Sequence, residues 1–134
     1  MSRVLWNGCV IGMLMTFGSC GGSSPSSPSP TPNPTPNPNP STATVTIMAS
    51  GVSQKTVQVS VGGHVTFVNN DTRSHTIDSN PHPAHTDCPE INQVGLLQPG
   101  QSRDTGNFSA ARSCGYHDHS APSDTTEQGT IVIQ

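Results

Sequence analysis

The chain has 134 residues, five Lys and Arg against eight Asp and Glu for a net charge of −3, and only 4% aromatic residues. That length supports one globular domain at most once low-complexity stretches are set aside, and the lack of a basic cluster argues against a nucleic-acid partner. So few aromatics exclude a large core, and a domain of this kind gains noticeably from a metal or a disulfide.

At the start of the chain Arg3 is followed by an apolar run from Val4 to Phe17, then Gly18, Ser19 and Cys20. A charged beginning, an apolar run too short to span a bilayer and a small-residue cleavage site describe an export signal over 1–19. The ending Phe17-Gly18-Ser19-Cys20 resembles the lipobox of bacterial lipoproteins, although leucine is usual where Phe17 stands. The resemblance implies cleavage before Cys20, lipid on that cysteine, and an exported protein anchored to a membrane and facing the periplasm or cell surface. Residues 20–43 then form a linker. Prolines at every second position from Pro28 to Pro40 fix φ and remove amide donors, which predicts an extended, polyproline-like tether. About twenty such residues at ~3.1 Å each hold a domain roughly 60 Å from its anchor.

The globular part is expected over 44–134. Val45 and Ile47, then Val57, Val59 and Val61, then Val65 and Phe67, alternate with polar neighbours, the period of half-buried strands. Gly62-Gly63 and Pro99-Gly100 supply turns. Further strands are expected at 75–78, 94–97, 101–108, 111–114 and 129–134, with polar loops at 79–92 and 115–128. Short strands at this spacing predict an all-β sandwich or barrel.

The densest group of metal-ligand residues is Cys114-Gly115-Tyr116-His117-Asp118-His119. Thiolate and imidazole together suit copper or zinc, and a Cys-x-x-His spacing lets one tight loop turn both side chains toward a single ion. His75 lies upstream, as do His82, His85 and Cys88, the two histidines in a loop stiffened by Pro81 and Pro83. His64 reads as surface, and Asp118 as a loop acid able to orient an imidazole. The cysteines have two readings. Exported proteins usually pair their cysteines, and Cys88 and Cys114 are the two that remain, because Cys9 falls within the signal and Cys20 is the lipid site. A Cys88–Cys114 disulfide would close a loop of about 25 residues, worth about 3 kcal/mol. It would leave His75, His82, His85, His117 and His119 as an all-nitrogen set for Cu(II) or Zn(II). As free thiols, Cys114 would ligate and Cys88 would join or guard the ion.

Three pieces stand in the order and at the separations found in one known family: Val65-Thr66-Phe67-Val68-Asn69-Asn70-Asp71 followed by His75, then Cys114-Gly115-Tyr116-His117, then Gly129-Thr130-Ile131-Val132-Ile133. Over 57–134 the chain resembles the cupredoxins, plastocyanin-like blue-copper proteins in particular. The resemblance implies a Greek-key β-sandwich holding one copper ion through His75, Cys114 and His117. Where the family has an axial methionine in Met-x-Gly, this chain has Glu127-Gln128-Gly129, so Glu127 or His119 is left as the fourth ligand. Either donor is harder than a thioether, which favours Cu(II) and lowers the reduction potential.

The expected function is a membrane-tethered, copper-binding domain acting in electron transfer or copper handling. It is expected to be a monomer and not an enzyme, with an unidentified redox or copper-exchange protein as partner. The alternative is a non-redox histidine-based metal module, with zinc a fitting ion if the site is all histidine, or a disulfide-stapled sandwich for interactions.

Overall fold

The structure, a computed structural model, describes residues 39–134. The expected signal over 1–19, lipidated Cys20 and the linker as far as residue 38 lie outside the described residues. Nine strands follow: β1 (Thr42–Met48), β2 (Gly51–Val52), β3 (Thr56–Val59), β4 (His64–Asn69), β5 (His75–Ser79), β6 (Gly95–Leu97), β7 (Ser102–Asp104), β8 (Arg112–Asp118) and β9 (Gly129–Ile133). Among the described residues there is no α-helix, only 3₁₀ turns at Ile91–Gln93 and Thr125–Glu127.

The strands form two mixed sheets, in the orders β2-β1-β4-β7 and β3-β9-β8-β5-β6. β1 runs parallel to β4 and β3 parallel to β9, and the remaining pairs are antiparallel. Alternation sends one set of side chains inward from each sheet. Val45, Ile47, Val65 and Phe67 come from the first sheet, and Val57, Val59, Ile77, Tyr116, Ile131 and Ile133 from the second, all buried in one core. Phe67 and Tyr116 meet edge to face across the sandwich, with ring centroids 5.0 Å apart, a favoured geometry for paired rings.

The all-β class and most strand positions follow from the period-2 pattern. Gly62 takes the expected turn with φ of 85°. Several boundaries differ, and three of them matter here. The first strand begins at Thr42, two residues before the expected start of the globular part. The strand predicted over 101–108 is limited to Ser102–Asp104, because Thr105 turns its amide and hydroxyl to Val65. The strand predicted to end at Cys114 runs on to Asp118, through the stretch read as a ligand loop.

Candidate metal centre

That extension of β8 reorganises the site. Successive side chains of a strand leave opposite faces, so Cys114, Tyr116 and Asp118 point into the sandwich, each at most 1% exposed, while Gly115 and His117 point the other way. Cys114 and His117 are three residues apart, an odd number. A spacing that brings two side chains together in a loop separates them by the thickness of the sheet in a strand. Cys114 is instead bonded to Cys88, with Cα atoms 5.9 Å apart, and both residues lie in the core. Of the two cysteine readings the structure has the disulfide. The trio His75, Cys114 and His117 implied by the resemblance is not brought together, and Cys114 offers no thiolate in this form.

His75, at the start of β5, is fully buried among acids. Its Nδ1 lies 2.8 Å from Asp118 Oδ2 and its Nε2 3.1 Å from Asp71 Oδ2. Glu127 Oε1 is 3.8 Å from Nδ1. Arg73 donates to Asp71 Oδ2 at 3.1 Å and to Glu127 Oε1 at 2.6 Å. A carboxylate oxygen thus stands within hydrogen-bond distance of each ring nitrogen of His75. Burial works against the Asp118 carboxylate, but the Ser120 and Thr76 amides and His75 outweigh it and hold its pKa below the ordinary value. Asp71 is likewise lowered, chiefly by the Thr72 amide. Glu127, expected as a fourth copper ligand, belongs here and not with His117 or His119. This group contains no sulfur donor, so a thiolate-copper centre does not fit it; Arg73 already faces two of its acids.

Four of the other histidines assemble on the opposite side of the five-stranded sheet, while His64 lies on β4 of the other sheet. His117 leaves β8 on the outer face, and the loop 80–87 folds over it, leaving it only 2% exposed. His82 and His85 come from that loop, and His119 from just beyond the strand. One ring nitrogen from each of His82, His85, His117 and His119 lies within 4.8 Å of the other three. Ring centroids of His82 and His85 stand 4.9–5.5 Å from those of His117 and His119. His119 Nδ1 and His85 Nε2 are 3.3 Å apart, about the edge of a tetrahedron with metal–nitrogen bonds of ~2.0 Å.

The surroundings prepare these rings. Asn80 Oδ1 accepts from His117 Nδ1 at 2.8 Å. That fixes the tautomer and leaves His117 Nε2, buried and without a hydrogen-bond partner, as the nitrogen free to ligate. Gly115, two residues earlier on the same face, makes room for Asn80, since a Cβ there would strike the Asn80 amide. His85 adopts φ of 52°, a left-handed conformation that costs a non-glycine residue free energy and persists only where its surroundings enforce it. Its amide donates to the Pro81 carbonyl at 2.7 Å, and its carbonyl accepts from Asn92 Nδ2 at 2.8 Å. Asn92 also accepts from the Ser79 amide at 2.8 Å, tying the loop to the end of β5.

Similar solved structures include a purple cupredoxin from Nitrosopumilus maritimus (19% identity, TM-score 0.54, covering 69% of this chain and 99% of that one). An auracyanin from Roseiflexus castenholzii (16%, TM-score 0.53, 72% and 98%) and a plastocyanin from Dryopteris crassirhizoma (18%, TM-score 0.53, 68% and 99%) share the arrangement. This is a cupredoxin-like fold. No protein-family model and no curated protein sequence matches the chain.

Within this cupredoxin-like domain, sequence spacing finds all four outer histidines but divides them among alternatives, and it misses two of their neighbours. Asp78 stands directly across from His117 in the β5–β8 register, with Oδ2 3.4 Å from His119 Nδ1 and 3.8 Å from His85 Nδ1. Asn80 is the other. Neither sits near β8 in sequence, and only the register of two strands reveals them. Burial, then electrostatic repulsion from His85 and His82, lowers the pKa of His117 and so favours its neutral form.

Proposed function

We propose that this cupredoxin-like domain holds one copper ion, as Cu(II), at His82, His85, His117 and His119, and serves in copper handling as a tethered, exported carrier and not a catalyst. The observation that carries the reading is the convergence of four ring nitrogens within 4.8 Å, one of them the buried, unpaired Nε2 of His117. Imidazole suits Cu(II) and Zn(II), whereas sulfur donors select Cu(I). With Cys114 in a disulfide, the electron-transfer version lacks the thiolate on which it rests, and holding the ion is the better-supported role. Copper is what the family resemblance implies, and the fold supports it. Asp78 faces two of the rings and offsets part of a divalent charge. His82 and His119 are exposed, which suits transfer of the ion to a partner protein. A disulfide fits an oxidising compartment, and with the sequence of residues 1–43 it supports export and attachment to a membrane through Cys20.

Titration of the oxidised protein with Cu(II) tests this. Tight binding at one ion per chain with only weak d–d absorption is expected. His117→Ala and His85→Ala should each lower the affinity by about a hundredfold, judged from the 10–100-fold cost of losing mere supporting groups. An intense thiolate-to-copper band, or unchanged affinity in both variants, would overturn the reading. Zn(II) fits the same four nitrogens, and competition between the two ions ranks them.

A further inference from the structure

We infer that the Cys88–Cys114 disulfide and the four-histidine site are thermodynamically coupled: the closed disulfide assembles the site, and a bound metal resists reduction of the disulfide. The inference rests on the metal reading above. The four histidines come as two pairs from two segments remote in sequence, His82 and His85 from the loop and His117 and His119 from the end of β8. The disulfide joins those same segments, three residues after His85 and three before His117. Strand parity places the sulfurs on the inner face of the sheet and the imidazoles on the outer, so the bond grips the strand without competing for the ion.

The other ties between the segments are non-covalent. Arg112 donates to both Glu90 carboxylate oxygens at 2.6 Å, and the Asn80 backbone N–H donates to the Gly115 carbonyl at 3.0 Å. They keep the reduced loop near its place but do not enforce the left-handed conformation of His85 as tightly. Opening the bond therefore lowers the fraction of molecules with all four rings in position, and apparent affinity falls by that fraction. Linkage is reciprocal, so the metal stabilises the disulfide by the same factor. Reduction needs an external thiol. Two glutathione thiols supply two electrons and two protons, the Cys88–Cys114 bond breaks into two thiols, and oxidised glutathione forms. Cys88 and Cys114 are at most 1% exposed, so attack follows local opening.

The test uses the full chain and Zn(II), which has no redox chemistry of its own, whereas Cu(II) would oxidise the thiols. The double variant Cys88→Ser/Cys114→Ser should bind Zn(II) about tenfold more weakly than the oxidised wild type. In glutathione buffers at fixed free Zn(II), the wild-type disulfide should become harder to reduce by about 30 mV for each tenfold of coupling. Equal Zn(II) affinity in the variant, with no metal-dependent shift in potential, would overturn the coupling and leave the metal reading standing. A shift toward easier reduction would overturn it too, by showing that the freed thiols capture the ion. If the variant does not fold, the wild-type potential decides alone. Failure of the oxidised wild type to bind either Zn(II) or Cu(II) overturns the metal reading and the coupling with it.

Discussion

Asn80 and Asp118 each position a histidine, to opposite ends. Asn80 fixes the His117 tautomer from the outer face. Asn80→Ala should weaken Cu(II) or Zn(II) binding by about tenfold, the usual cost of losing such a partner, with little change in unfolding midpoint; calorimetric titration checks the first and denaturant unfolding the second. Asp118 is the buried partner of His75. Asp118→Ala leaves that imidazole and two amides without an acceptor, and stability should fall by about 3 kcal/mol, the upper end for buried donors left unsatisfied. A loss under about 1 kcal/mol in urea unfolding would mean that Asp71 alone satisfies His75. The cupredoxin resemblance implies that His75 is a copper ligand. Its neighbours Asp71, Asp118 and Glu127 make it the centre of a buried polar cluster instead, and no spacing rule joins residues from a loop, a strand end and a 3₁₀ turn.

At the scale of elements, β8 decides the chemistry. Sequence patterning ends that strand at Cys114 because Gly115 and the polar residues after it look like a loop. The register Cys114↔Ile131, Gly115↔Thr130 and Tyr116↔Gly129 keeps it in the sheet, and Gly129 lies under the Tyr116 ring where a Cβ would collide. The disulfide pins the same strand to the histidine loop. Its removal by Cys88→Ser/Cys114→Ser should cost about 3 kcal/mol of stability on the chain-entropy account; an unchanged midpoint in guanidinium unfolding would show that Glu90–Arg112 and the Asn92 hydrogen bonds hold the loop unaided. Gly115→Ala should displace Asn80 and weaken metal binding, because the added methyl occupies the place of its amide.

Over the whole molecule, pH acts on two clusters with separate ranges. Protons compete with an ion for imidazole nitrogens, and imidazoles as a class take up protons at higher pH than carboxylates, so metal affinity should fall before the acids are protonated. His117, whose pKa is lowered by burial, joins that competition only at lower pH. Asp71 and Asp118 have folded pKa values below their ordinary ones. Their contribution to stability is therefore complete above about pH 4 and is lost as pH falls toward the folded values. Metal release should precede acid unfolding, which parallel metal-affinity and circular-dichroism titrations will separate; coincident transitions would contradict it.

The sequence by itself determined the all-β class, most strands of the sandwich, the likeness to cupredoxins and the residues rich in metal chemistry. Period-2 alternation and ligand identity are local properties, and they are written along the chain. Only the tertiary structure decided which of those residues meet. Strand parity sends Cys114 inward and His117 outward, the β5–β8 register brings Asp78 opposite His117, and the folded-over loop delivers His82 and His85 to the outer face. Each depends on pairing between distant segments, and the packing of the core, not the spacing of the ligands, sets that pairing.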